Sequence, residues 1–269
     1  MDNTLKFYHL SYHPFPGTGK PAETYESTDL RQAVAVAEVT AKENGVGLLT
    51  GPVGVGISYS AFCASGKLNQ TQYTIRYYPV CDITPRDFYK GLCRVTDTNC
   101  QGKGKEAMIA AIRSHARMLK EQGRPLFLTL DNAQNIPSSV LQDIPTLVME
   151  DYGIAPMMGI LLCGTEELRD RIRSLHCESL LQLVSNRYTF RGLSEQECVA
   201  YVLHKLKLAG GTEALLTEDA LNALHAASCL GNCRMLNNLM RKAFQIGAQA
   251  KRTTIDMDVL HSAAKHLVF

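Results

Sequence analysis

Apolar residues along this chain follow two rhythms. Short unbroken runs predict buried strands: "GVGLLTG" (45–51), "YTIRYYPV" (73–80), "PLFLTLD" (125–131), "GILLCG" (159–164) and "YTFRGL" (188–193). Between them the apolar spacing is helical. From Thr28 to Asn44 it places Leu30, Val34, Ala37 and Ala41 on one face. Ser58 to Lys67 reads as a second helix. "TPRDFYKGLCRV" opens with Thr84 as N-cap and Pro85 at the first helical position. "EAMIAAIRSHARMLKEQG" lines Met108, Ile112, Ala116 and Leu119 on one side and stops at Gly123. Strands alternating with helices predict an α/β architecture, a parallel five-stranded sheet flanked by helices. After Leu193 the strand signal ends. Four helical segments follow, with Ser194, Thr217 and Asp256 each placed to cap one. The expected division is an N-terminal arm (1–27), an α/β core (28–192) and an all-helical lid (193–269).

The 269 residues, 45% hydrophobic, suit a packed core of one or two domains. Lysine plus arginine (28) nearly balances aspartate plus glutamate (26), so any nucleic-acid surface must be a local patch. Nine cysteines include no CxxC pair. His225, Cys229 and Cys233 fall at helical spacing but lack a second pair, so they read as free thiols in a reducing compartment rather than a metal site. No apolar stretch is long enough to span a bilayer, and the expectation is a soluble, cytoplasmic protein. "GTGK" (17–20) imitates a phosphate-binding loop. No strand leads into it, and Pro21 follows the lysine, so it reads as part of an ordered arm.

"GLLTGPVGVGISYS" (47–60) carries the chemistry. A buried strand runs into a glycine-rich turn that opens a helix. The pattern G-x-x-x-x-G-K-[ST] maps onto Gly51, Pro52, Val53, Gly54, Val55, Gly56, Ile57 and Ser58, followed by Tyr59. The glycines let backbone N–H groups approach a phosphate. The helix N-terminus points at the same anion. Ser58 offers a hydroxyl to magnesium. Ile57 stands where the lysine belongs.

The third strand ends in Asp131, the place of a magnesium-directing carboxylate, though an aspartate there could also cap the next helix. Asn132 follows; it cannot accept a proton from an attacking water. Thr165, at the end of the fourth strand, suits a γ-phosphate sensor, a helix cap, or both. Arg187 reads either as an arginine finger reaching a neighbouring subunit or as a surface ion-pair residue. Arg234, in "GNCRMLNNL", reads as a nucleotide-facing lid arginine or a solvated one.

These features together resemble AAA+ P-loop ATPases, more narrowly the ExeA-like and TniB/TnsC-like ATPases that accompany transposases. "FYHLSYHPF" is similar to the ExeA-like opening FF-x-L-x-x-x-PF. "DNAQNI" resembles DEAQNL with asparagine for glutamate. "GLSEQECVAYVLHKLKLAGG" and "GNCRMLNNLMRKAF" resemble the lid entry and its second sensor helix. The resemblance implies ATP and Mg as cofactors, and a ring or filament of identical subunits on duplex DNA that recruits a transposase or integrase. Asp131, Asn132, Thr165 and Arg187 would be the catalytic set, and Gly51 to Tyr59 with Arg234 the nucleotide contacts. Ile57 and Asn132 both fall on the chemistry while the glycines, Ser58 and Asp131 are kept, which implies hydrolysis weakened or lost. A pseudo-ATPase scaffold and an ExeA-like secretion-associated ATPase are the alternatives. ExeA proteins carry a membrane span and a peptidoglycan-binding region that this chain does not show, which favours the transposition branch.

For DNA, the segments after the second strand supply Arg86, Lys90, Arg94, Lys103, Lys105, Arg113, Arg117 and Lys120. They would touch phosphates and not bases. An ordinary solvated helix face explains them as well. Lys103 and Lys105, on a Gly-flanked loop, are the favoured contacts.

Overall fold

A computed structural model describes residues 3–16, 23–81, 84–100, 102, 104–150, 155–174 and 178–267. The elements in chain order are α1 (Asn3–Phe7), α2 (Thr28–Glu43), β1 (Val46–Gly51), α3 (Ile57–Lys67), β2 (Thr74–Pro79), α4 (Pro85–Val95) and α5 (Lys105–Glu121). Next come β3 (Leu126–Asp131), α6 (Ser138–Val148), β4 (Gly159–Thr165), α7 (Glu166–Ser174), α8 (Glu178–Leu183) and β5 (Val184–Thr189). Helices α9 (Glu195–Leu208), α10 (Glu218–Ala227), α11 (Cys233–Gln249) and α12 (Met257–Lys265) complete the chain. They group into two compact units. A sheet unit holds Leu30–Val53 and Ile57–Phe190; a helical unit holds Met1–Asp29, Gly54–Gly56 and Arg191–Phe269.

The sheet unit is built on five parallel strands in the order β2-β3-β4-β1-β5. Its fold is that of the P-loop AAA+ proteins. Every residue of β1 and β3 is buried, as expected of inner parallel strands covered on both faces. The edge strands differ: β2 is mostly half-buried and β5 alternates half-buried with exposed positions. The core runs from Leu126, Leu128 and Leu130 on β3 to Phe88, Tyr89 and Leu92 on α4, Ile112 on α5 and Ile144 on α6. Each such side chain contributes about 1.5–3 kcal/mol by leaving water. On α3, the Ser65 hydroxyl pairs with Thr129 of β3 at 2.8 Å in a buried contact, which fixes the helix on the strand and so sets where Ser58 stands.

The last strand is the fold's main departure from the sequence pattern. The pattern predicts it over 188–193, with Arg187 before it, but β5 spans Val184–Thr189 and contains Arg187. An edge strand with one solvated side has no need of an unbroken apolar run, so "VSNRYT" gives no strong strand signal. The helix caps agree with the pattern. Thr84, Ser194, Thr217 and Asp256 each accept a hydrogen bond from a backbone N–H of the helix that follows, with Ser194 and Glu197 forming a reciprocal capping box.

In the helical unit the core gathers Leu193, Val202, Leu206, Leu236, Leu239, Met240, Phe244 and Leu260. Tyr8 and Phe15 of the N-terminal arm are buried in the same cluster, and Tyr8 stacks edge-on against Phe244 at 4.9 Å. The imitation loop at 17–20 lies outside the described residues. Among the described residues no helix is long and apolar enough to cross a membrane.

Candidate nucleotide site

Strands β1, β3 and β4 end side by side, Gly51 opposite Thr165 and Pro79 of β2 opposite Asp131. In open parallel sheets, ligands bind at these carboxyl ends. The loop from Gly51 to Ser58 leaves β1 there and opens α3. Pro52 and Val53 are exposed, and Tyr59 is half-buried on the first turn of α3.

Gly54 and Gly56 have φ of 91° and 104°, where only glycine is unstrained. At Gly54 space is also decisive. A Cβ would sit 2.6 Å from Asn232 Oδ1 and 3.2 Å from Arg234 Cβ, because the start of α11 lies against this part of the loop. The Arg234 N–H donates to the Gly54 carbonyl at 3.0 Å, and the Cys233 thiol donates to the Val55 carbonyl at 3.3 Å. Burial, and after it the negative charge of Asp29, push that thiol up to about 12, so it remains a protonated donor. The Arg234 side chain itself is exposed.

Ile57 is 9% exposed and joins neither apolar core cluster. An aliphatic side chain fills the position at which the motif calls for a cation. One residue on, Ser58 Oγ donates to Asp131 Oδ1 at 2.9 Å, so the two candidate magnesium residues are in direct contact. Asp131 is 5% exposed. The same oxygen accepts from the Asn132 N–H at 2.9 Å. Among the described residues this buried carboxylate has no ion-pair partner. A carboxylate and a hydroxyl at one point, with no protein cation beside them, fit a hard divalent ion of the magnesium class, whose remaining ligands would be waters and phosphate oxygens.

Asn132 sits at φ 55°, ψ 41°, in the left-handed region. Asparagine tolerates that conformation better than glutamate, which offers a backbone reason for asparagine here. Thr165 closes β4, and its N–H donates to Gln134 Oε1 at 3.2 Å. Arg171 of α7 binds the carbonyls of Gln134 and Ile136, the latter at 2.8 Å. Gln134 and Arg171 thus fix the segment after Asp131, a role sequence reasoning misses. Gln134 stands inside "DNAQNI"; Arg171 gives no signal beyond a charge on an amphipathic helix. Tyr77, whose hydroxyl reaches this same corner, is also missed. Arg187 is exposed on the edge strand β5.

The basic residues separate into two kinds. Arg86, Lys90 and Arg94 recur every four residues on α4 and are all exposed, opposite the buried Phe88, Tyr89, Leu92 and Cys93. Lys90 makes only a loose 3.6 Å pair with Asp87. Lys105, by contrast, forms a 2.7 Å ion pair with Asp143, which also accepts from the Tyr89 hydroxyl at 2.6 Å. Arg113 donates to the Met149 carbonyl, and Lys120 pairs with Glu150. Lys103 lies outside the described residues.

Known proteins share this architecture. A family model described as "AAA domain" matches residues 40–172, from the end of α2 through most of α7. General secretion pathway protein A of Aeromonas hydrophila is 28% identical over 248 residues, covering 91% of this chain; the chain spans only 45% of that relative's length. Cdc6p from Pyrobaculum aerophilum superposes with a TM-score of 0.71 at 16% identity, over 98% of this chain and 71% of its own. Drosophila ORC bound to DNA gives 0.68 at 15% identity, over 100% and 67%. Likeness at these identities speaks for the fold.

Proposed function

We propose that this chain is a nucleotide-binding AAA+ regulator that takes ATP with magnesium and hydrolyses it weakly or not at all. The observation that carries the proposal is the intact Ser58–Asp131 pair beside a glycine loop whose lysine position holds the buried Ile57. Loop N–H groups would hold the phosphates, and Ser58 and Asp131 the metal. Bound magnesium would supply the positive charge that Ile57 does not. Losing a charge-assisted contact costs about 1.5–3 kcal/mol, or about ten- to a hundredfold in affinity. Asn132 removes the general base, itself worth about 10²–10⁴-fold in rate.

The wider role follows the family resemblance: assembly of copies on duplex DNA, with Arg187 donated across the subunit boundary, and recruitment of a transposase or integrase. DNA binding is supported by the exposed stripe on α4. A secretion-associated role is the second reading, favoured by the relative from Aeromonas hydrophila. The chain covers less than half of that relative, so its length gives no ground for choosing between them. Duplex binding that ATP promotes favours the first reading; its absence at low salt favours the second.

The decisive experiment titrates a fluorescent ATP analogue and measures phosphate release for the unmodified chain, Ile57→Lys, Asn132→Glu and the double variant. Ile57→Lys should tighten binding ten- to a hundredfold with little turnover. The double variant should add turnover, reduced by the cost of a left-handed glutamate at position 132, about 1–2 kcal/mol. No saturable binding in either the unmodified chain or Ile57→Lys would overturn the nucleotide reading. Robust turnover by the unmodified chain, abolished by Asp131→Ala, would show that another residue supplies the missing chemistry.

A further inference from the structure

Besides Ser58 and Asp131, a third polar group reaches the carboxyl end of β3. Tyr77 lies on the edge strand β2, paired in register with Thr129 of β3. Its hydroxyl donates to the Ser58 carbonyl at 3.3 Å. The ring is steadied edge-on by Phe62 of α3, with centroids 5.9 Å apart. Burial first, and then the neighbouring carboxylate, push the phenol well above its ordinary range, so the hydroxyl is a neutral donor at any working pH. Ser58 Oγ and the Asn132 N–H both bind one oxygen, Oδ1, and two donors on one oxygen leave the carboxylate free to tilt about that point. By donating to the Ser58 carbonyl, the Tyr77 hydroxyl ties the first turn of α3, and with it the Ser58 Oγ that holds Oδ1, to β2 and so limits that tilt.

We propose that Tyr77 is a positioning residue for metal-assisted nucleotide binding, holding Asp131 and Ser58 in the arrangement that receives the magnesium ion of the nucleotide. The inference rests on the nucleotide reading above. It matters more in this chain than in one with a loop lysine. With Ile57 in the loop, the metal carries most of the charge compensation for the phosphates, so the aim of its two protein ligands weighs more in the affinity.

Tyr77→Phe keeps the ring against Phe62 and removes only the hydroxyl. The test measures the affinity of a fluorescent ATP analogue in EDTA and across a magnesium titration, for the unmodified chain, Tyr77→Phe and Asp131→Asn. The expected result is unchanged affinity in EDTA, with the magnesium-induced tightening reduced about tenfold in Tyr77→Phe and abolished in Asp131→Asn. An equal loss with and without magnesium would show that the hydroxyl only supports packing and would overturn the inference. So would an unchanged magnesium response in Tyr77→Phe beside an abolished one in Asp131→Asn, and this outcome would leave the nucleotide reading standing. If the unmodified chain shows no saturable binding in either arm, the nucleotide reading itself falls.

Discussion

Helices α4 and α5 carry similar positive charge and use it in opposite ways. On α4, Arg86, Lys90 and Arg94 form an exposed stripe whose one ion pair among the described residues is the loose Lys90–Asp87 contact. On α5, Lys105 and Lys120 are committed to Asp143 and Glu150, and Arg113 to a backbone carbonyl. Both helices bury an apolar face, so the sequence pattern describes them alike. What separates them is the neighbour. Helix α5 packs against α6, whose Asp143 meets Lys105 and the Tyr89 hydroxyl, whereas the outer face of α4 meets solvent. A cation already paired inside the protein must break that pair to bind a phosphate; a solvated one need only shed water and counterions. For the proposed DNA binding, the difference moves the favoured contact from the α5 end of the connecting loop to the α4 stripe.

The sharpest way to break this contrast is to reverse the α4 stripe. Arg86→Glu, Lys90→Glu and Arg94→Glu together should lower duplex affinity by at least about a hundredfold at low salt. They should also flatten the slope of log affinity against log salt by about 0.9 for each phosphate no longer neutralised. The midpoint of thermal unfolding should barely move, since surface substitutions of this kind fall within about 0.5 kcal/mol. Fluorescence anisotropy at several salt concentrations reads the affinity and the slope. An unaffected slope would show that α4 is a solvated face and nothing more.

Lys105→Glu should show the reverse signature. It places a like charge against Asp143 and leaves the Tyr89 hydroxyl to satisfy that carboxylate. Unfolding in denaturant should register a loss of about 1–3 kcal/mol, with the salt slope of DNA binding changed far less than by the α4 variant. Asp143→Asn should recover part of the stability of Lys105→Glu. A stable Lys105→Glu protein with strongly weakened DNA binding would reverse the assignment of the two helices.

Much of this is legible in the residues because local rules and tertiary structure agree there. The inner strands are continuous apolar runs, Thr84, Ser194, Thr217 and Asp256 cap helices, and Gly54 and Gly56 of the loop occupy positive φ. The failures have physical causes. Edge strand β5 alternates instead of running apolar, so the pattern places its start at Tyr188 when it begins at Val184. Helix α6 contains Pro145, a residue that argues against a helix interior unless packing overrides it, and Val140, Leu141, Ile144 and Leu147 supply that packing. The bond between Ser58 and Asp131 is implied by the motif; the approach of Tyr77 from another strand is not, because side-chain reach across a sheet leaves no trace in sequence spacing.

The rule that a paired charge serves the fold applies equally to an anion, and Glu197 in the helical unit gives its mildest test. Its carboxylate accepts from Thr28 N at 2.6 Å, Thr28 Oγ1 at 2.8 Å and Ser194 N at 3.1 Å, tying the start of α2 to the cap of α9. Burial alone would raise this carboxyl, but the hydrogen bonds from Thr28 and Ser194 outweigh it and hold it below its ordinary value of 4.5. A folded-state value below the unfolded one means the charged form stabilises the fold. That contribution is complete above the unfolded value and is lost as pH falls through the lower, folded one. Glu197→Gln should therefore cost about 1 kcal/mol near neutral pH, the usual worth of a cap. Partial exposure to solvent limits it to no more than that. The gap between variant and unmodified chain should close as pH falls below the ordinary value of 4.5 and through the lower, folded one, as the native carboxylate takes up its proton. Denaturant midpoints measured from neutral to acid pH would show the two curves converging. Parallel curves would mean that Glu197 supports the cap by shape alone, and that its charge, unlike those on α5, is not used by the fold.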